Sequence, residues 1–320
     1  MQERLKQKAI ELLENGTVDR VLGWKTGEFF YDLTPAVFNS REEIEKDFVF
    51  NAFAGANLSK YLIAESRKGG KVAAFIKPCD SYSFTQLLKE HRIWRENVYV
   101  VGVQCDGMCD AAKLGCDGIL SVKEVGDDLI VDTLYGEKTV AKRDALAERC
   151  LVCKSKKIVT FDELIGEQGE ELETSRFDEV ARLEAMSPEE RFAFWQGELS
   201  RCIRCNACRN VCPACSCEKC VFDNADSGVR NKAAADSFEE SLFHIIRAFH
   251  VTGRCTDCGE CSRVCPQNIP LHLLNRKMIK DINELYGTYQ AGSDLDTKPP
   301  LTNYTLDDCE PSIVHERGGQ

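Results

Sequence analysis

Two stretches decide how this chain is read: Arg201-Cys-Ile-Arg-Cys-Asn-Ala-Cys-Arg-Asn-Val-Cys-Pro213 and Gly253-Arg-Cys-Thr-Asp-Cys-Gly-Glu-Cys-Ser-Arg-Val-Cys-Pro266. Both follow the spacing C-x2-C-x2-C-x3-C-P. Three thiolates two residues apart wrap a tight loop around one iron–sulfur cubane. The fourth, followed by Pro, leads away and reaches the neighbouring cluster. The spacing therefore predicts two [4Fe–4S] clusters with crossed ligands. One takes Cys202, Cys205, Cys208 and Cys265, and the other takes Cys255, Cys258, Cys261 and Cys212. The competing reading is a pair of zinc knuckles, which normally need only paired C-x2-C units.

Working outward, helix signals surround both motifs. Ser187-Pro188-Glu189-Glu190 has an N-cap Ser, a Pro at the first helical position and Glu190 closing a capping box. A second helix is expected to begin at Ser237, with Glu240 in the box position and an apolar face of Leu242, Ile245, Ile246 and Phe249. A third follows Pro270 through Leu273, Leu274, Met278 and Ile282. A compact bacterial ferredoxin has a shorter, stranded link between its motifs. A helix filling the link here implies an α-helical ferredoxin module. Cys215, Cys217 and Cys220 follow the first motif and have two open readings: ligands of an extra cluster, or buried thiols beside the first one.

The N-terminal half reads differently. Leu5, Ala9, Leu12 and Leu13 lie at helical spacing, stopped by Asn15-Gly16. Val18–Trp24 and Lys71–Ile76 are strand candidates, and Val98–Val103 is a continuous apolar run of the kind buried on both faces. Residues 55–68 and 81–91 read as helices between them, so the rhythm implies a parallel sheet. Asp128–Leu134 and Lys138–Ala141 flank a turn and predict a hairpin. The expected organisation is an α/β domain with a mainly parallel sheet over 1–165, a linker and helix over 166–186, and an α-helical dicluster [4Fe–4S] ferredoxin domain over 187–290. From 291 to 320 the chain is polar and is expected to be extended or disordered.

Cys105, Cys109 and Cys116 follow the Val98–Val103 strand, and Cys150 and Cys153 form a C-x2-C pair. Cysteines at strand ends, where open α/β sheets bind ligands, suggest a third iron–sulfur site. Its expected ligands are Cys150, Cys153, Cys105 and one of Cys109 or Cys116, with zinc as the alternative. Lys77-Pro78-Cys79-Asp80 closes the neighbouring strand. Pro78 forces an extended turn, so Cys79 would face the same crevice, where a flavin or a cluster edge would sit. The plain alternative is a strand-to-helix turn with Asp80 or Ser81 as N-cap. Cys309 reads as an incidental thiol.

Composition narrows the function. The 320 residues are enough for about two domains. The net charge of −11 argues against nucleic acid or an anionic membrane surface as the main partner and fits a protein that docks on proteins. No stretch approaches the ~20 apolar residues of a membrane helix. The charged N-terminus has no apolar secretory core, so the expected compartment is the cytoplasm. Eighteen cysteines in a long chain without a secretory signal indicate metal rather than disulfides, and an oxygen-poor host. No G-x-G-x-x-G fingerprint is present, which disfavours nicotinamide binding. The five histidines do not cluster in sequence and read as structural or surface residues.

The motifs Lys77-Pro-Cys-Asp80, the strand ending in Cys105, and Cys150-Leu-Val-Cys153 leading to Asp162-Glu-Leu-Ile-Gly166 resemble the beta subunits of coenzyme F420-dependent hydrogenase and formate dehydrogenase. Arg201–Arg209 and Gly253–Cys261 resemble the dicluster region of formate dehydrogenase beta-like proteins. The resemblance spans roughly residues 15–285. It implies a subunit that passes electrons between a partner's catalytic centre and another acceptor. In the F420 branch it also implies an FAD in the first domain that converts single electrons into a hydride. The implied partners are formate dehydrogenase, hydrogenase or heterodisulfide reductase-type flavin subunits, with ferredoxin as a further candidate. Three readings follow: a cluster-only relay, a flavoenzyme subunit acting on a two-electron carrier such as F420, or a zinc-binding structural or assembly protein.

Overall fold

The computed structural model describes residues 1–154, 156–223 and 237–302. Cys309, the tail beyond 302 and the side chain of Ser237 lie outside the described residues.

The N-terminal half is built on a five-stranded sheet of order β2-β1-β3-β4-β8. Its strands are β1 (Arg20–Thr26), β2 (Leu33–Phe38), β3 (Val72–Ile76), β4 (Val98–Val103) and β8 (Glu163–Ile165). The β1–β3, β3–β4 and β4–β8 pairs are parallel, and only edge strand β2 runs antiparallel. Every residue of β3 is fully buried, as expected of a strand covered on both faces. Helix α1 (Gln2–Glu14) buries Leu5, Ala9, Ile10 and Leu12, and α2 (Pro78–Lys89) follows β3 directly. Strands β5 (Ile119–Val125), β6 (Asp128–Thr133) and β7 (Gly136–Ala141) form a separate antiparallel sheet that contains the expected hairpin.

One local expectation fails. Residues 55–68 form helix only over Leu62–Glu65. Upstream, the Asn57 side chain accepts from the Ser59 backbone N–H at 2.9 Å and donates to Ser83 Oγ at 3.1 Å, so local side-chain bonds replace the helical ladder. The strap from 287 to 302 has no regular element except the short turn Pro300–Thr302; Tyr289, Gln290 and Ala291 are buried, and the Tyr289 hydroxyl donates to the Gly253 carbonyl at 2.9 Å.

The C-terminal half contains α3 (Asp178–Glu184), α4 (Pro188–Ser200), α5 (Ser237–His250) and α6 (Leu271–Tyr286). The capping box of α4 forms as the sequence predicts: Ser187 Oγ accepts from the Glu190 N–H at 3.2 Å, and Glu190 accepts from the Ser187 N–H at 2.9 Å. Helix α5 forms where expected but is rotated. It buries Glu240, Phe243, His244, Arg247 and Ala248, and it leaves Phe238, Leu242, Ile245 and Phe249 exposed. No helix among the described residues is long and apolar enough to cross a membrane.

Candidate metal and redox site

The two cysteine motifs fold into loops of matching backbone. Arg204 and Asn206 have φ of 56° and 62°, and the equivalent Asp257 and Gly259 have 61° and 68°. Left-handed residues at these positions curl the loop so that backbone N–H groups turn inward onto sulfur. The Arg204 N–H donates to Cys202 Sγ at 3.4 Å. The N–H groups of Asp257, Glu260 and Ser262 do the same for Cys255, Cys258 and Cys261. Each loop then enters a single helical turn, over Ala207–Asn210 and Glu260–Arg263, which carries the third cysteine inward.

The loops bring the cysteines together in the crossed arrangement. Cys202, Cys205, Cys208 and Cys265 line one small cavity, while Cys212 packs with Cys255 in a separate cluster. Burial pushes Cys208 up to about 12 and raises Cys255, Cys258 and Cys261 as well. Such thiols stay protonated unless a metal displaces the proton. Cys212 is the exception, held low by the Cys215 thiol donating to it. Among the described residues no three His, Cys, Asp or Glu side chains converge as they would on a single metal ion. A cubane asks something different, since its four thiolates bind four separate irons. The inward N–H groups and buried thiols fit that larger group.

A second constellation lies at the carboxyl end of the parallel strands. Cys79, on the first turn of α2, and Cys105, just past β4, line one crevice with Cys150 and Cys153. The Met108 N–H donates to Cys150 Sγ at 3.4 Å, and Cys105 takes the Gly107 N–H. Burial raises both Cys79 and Cys105. Cys109 and Cys116 do not line this crevice. Cys109 is held away by its N–H bond to the Ala52 carbonyl at 2.7 Å and by a bridge to Leu146, and Cys116 packs against the core after Gly115. Cys79 therefore stands where one of these two was expected.

Lys77 and Asp80 are committed to each other. They are almost fully buried and paired at 3.0 Å, while Lys77 Nζ also reaches the Ala56 carbonyl at 2.9 Å and lies over the Trp24 ring at 4.5 Å. Burial raises the Asp80 carboxyl, partly offset by Lys77. Helix α2 begins at Pro78, with Lys77 at the cap and Asp80 one turn in. The anticipated N-cap at Asp80 or Ser81 does not form.

The crevice also meets the second cysteine loop, because Cys258 lines it along with Asp257. Arg149 holds this junction. Its guanidinium donates to the Cys258 carbonyl at 3.0 Å and to the Gly55 carbonyl at 2.7 Å, and pairs with Glu260. Burial alone would raise Glu260, but Arg149 and Arg263 hold it at about 2. Asp257 is pinned by Arg276 at 2.7 Å and Arg176 at 3.3 Å.

Cys215, Cys217 and Cys220 line a third cavity with Lys60, His250 and Arg254. Residues that sequence reasoning missed include His244, whose Nε2 lies 3.2 Å from Cys202 Sγ, and Asn275, whose amide points at Cys261 Sγ at 3.7 Å. Burial, with Arg247 and Arg204 adding to it, pushes His244 down to about 3. Glu240, His244 and Arg247 form a polar stripe at helical spacing on α5, a signal present in the sequence but outweighed by the apolar stripe beside it.

Residues 198–269 match the family described as a 4Fe-4S dicluster domain. The F420-dependent formate dehydrogenase subunit beta of Methanocaldococcus jannaschii is 27% identical over 91% of this chain and 92% of its own. A corresponding subunit of Methanococcus maripaludis, from formate dehydrogenase 1, is 26% identical over 91% of this chain and 90% of its own. A putative ferredoxin-3 of Sinorhizobium fredii is 34% identical over 22% of this chain and 70% of its own. A chain of the xenon-derivatised F420-reducing [NiFe] hydrogenase complex from Methanosarcina barkeri aligns with a TM-score of 0.39 and 16% identity, over 62% of this chain and 86% of its own. The C-terminal half of the chain thus carries a match to the 4Fe-4S dicluster domain, and over nine-tenths of its length the chain is similar to beta subunits of F420-dependent formate dehydrogenases.

Proposed function

We propose that this chain is an iron–sulfur electron-transfer subunit of an oxidoreductase complex, with three [4Fe–4S] sites in series. The observation that carries this reading is Cys258. It belongs to the second cysteine motif, yet it lines the crevice walled by Cys79, Cys105, Cys150 and Cys153. In this reading Cys79, Cys105, Cys150 and Cys153 hold one cluster. Cys255, Cys258, Cys261 and Cys212 hold the next, and Cys202, Cys205, Cys208 and Cys265 hold the last. Clusters so ligated take up and release one electron at a time. The chain's own residues support this order: Arg149 ties the crevice to the Cys258 loop, and backbone N–H groups of the loops point toward the thiols.

The domain reading accompanies it: an α/β unit over 1–165, a connecting segment over 166–186, and an α-helical ferredoxin over 187–290. Helices α4, α5 and α6 around the motifs support the helical assignment. The partners are subunits of a formate dehydrogenase, hydrogenase or related flavin-containing complex, by likeness to the relatives' stated roles. A flavoenzyme variant, with FAD reducing a carrier such as F420, draws on the relatives' F420-dependent descriptions. Lys77 and Asp80 give it little support, because their charges are spent on each other, and a crevice walled by thiols suits a cluster better than an isoalloxazine. Zinc in a structural role is the reading that competes for the same thiols.

An anaerobic visible spectrum with metal analysis tests these readings. Brown absorbance that bleaches on reduction, with iron and sulfide, supports the relay. Extractable yellow flavin favours the enzyme, and colourless zinc-loaded protein contradicts both.

A further inference from the structure

Helix α5 buries a cation with nothing to hold it. Arg247 is 2% exposed, and among the described residues none of its Nε, Nη1 and Nη2 atoms has a hydrogen-bond partner. An unpaired buried charge costs several kcal/mol even after relaxation. The nearby carboxylates are engaged elsewhere. Glu240 pairs with Arg204, Glu260 with Arg149 and Arg263, and Glu90 with Arg254. One turn before Arg247, Phe243 lies in a buried cluster with Cys208 and Cys261, and one turn after it Val251 packs with Cys212 and Cys255; the charges of Cys261, Cys212 and Cys208 are among those that raise the Arg247 guanidinium.

Those sulfurs come from both ligand sets. Cys208 belongs to the set with Cys202, Cys205 and Cys265, while Cys261 and Cys212 belong to the other. His244 also reaches Cys202, so a single helix packs on cysteines of both sets. The choice of side chain fits the position. A guanidinium keeps its charge at every accessible pH and carries five N–H donors in a rigid fork, able to address two groups at once.

We propose that Arg247 is a positioning residue shared by the two C-terminal clusters: its buried charge lies between the helix positions that pack on both ligand sets, balances their negative charge, and raises both reduction potentials together. The inference deepens the proposed function and rests on its assignment of the eight C-terminal thiolates. The crevice site supplies an internal reference, because Arg247 does not line it.

The test uses the full-length chain purified anaerobically, as wild type, R247M and R247K. Iron and acid-labile sulfide are measured first, then midpoint potentials by EPR-monitored titration. R247M is expected to keep its clusters and to shift both C-terminal potentials downward by at least a tenfold change in reduction equilibrium, about 59 mV for one electron. The crevice centre should stay at its wild-type potential, and R247K should recover most of the shift. Unchanged potentials in R247M, or movement of only one C-terminal centre, would overturn the proposal. Should R247M fail to assemble clusters, R247K decides: two clusters at near-wild-type potentials support the charge role, and loss of both refutes it. Wild-type protein without sulfide would refute the cluster reading itself, and this inference with it. That failure is recognised before any variant is made.

Discussion

Cys79 occupies the first turn of α2, directly after β3, and its thiol meets the crevice that Cys105 reaches from the end of β4. The C-x2-C pair at Cys150 and Cys153 was legible from spacing alone, and so were the eight cysteines of the paired motifs. Cys79 was read from the Pro78 turn as facing the same crevice, but Cys109 or Cys116 was expected as the fourth thiol, because spacing along the chain cannot tell which strand end faces which loop. Parallel pairing of β3 with β4 makes neighbours of Cys79 and Cys105 across 26 sequence positions. Two substitutions separate the candidates. Cys79→Ser should lower the iron content by about four per chain, while Cys116→Ser should leave it unchanged. Iron and sulfide assays on anaerobic protein read the difference, and the reverse pattern would return the assignment to Cys116. In the C-terminal half, Cys208→Ala should remove one cluster and leave the N-terminal sheet folded, as seen by unchanged strand signal in circular dichroism.

At the level of elements, the helix signals located α4, α5 and α6 well, since caps and periodicity are local. The orientation of α5 was misread for a physical reason. An apolar stripe normally marks the buried face, but here the helix buries Glu240, His244 and Arg247 as well as Phe243, and His244 meets the Cys202 thiol. Polar composition said nothing of what the 287–302 strap packs on. Gly292 has φ of +74°, and a Cβ there would come within 1.9 Å of the Tyr82 carbonyl oxygen on α2. Gly292→Ala should therefore cost about 1–3 kcal/mol and expose the strap to proteolysis. Equal protease resistance in the variant would show that the strap does not depend on this contact. At the junction, Arg149→Met leaves buried Glu260 with Arg263 as its ion-pair partner and the Asn57 N–H as a donor. The expected loss is about 3 kcal/mol, the lower end for breaking a buried pair because one partner remains. A thermal shift assay checks it, and an unchanged midpoint would mean that Arg149 does not clamp the two halves.

For the whole molecule, the sheet and the cysteine loops are joined where electron passage would need them to be joined. The crevice at the carboxyl end of the sheet shares Cys258 with the second loop. That loop is bonded to the N-terminal half through Arg149 and through the Ser83–Thr256 hydroxyl pair at 2.9 Å. The mainly parallel sheet and the existence of two cysteine motifs were readable from residue patterns. Their contact was not, because it depends on pairs such as Asn57 with Glu260, 203 residues apart. The most direct test is the iron and acid-labile sulfide content of anaerobically purified full-length protein, with EPR of the reduced sample. Three four-iron sites require about twelve of each per chain. Zinc without sulfide would contradict the account outright, and about eight iron with eight sulfide would remove the crevice site from it.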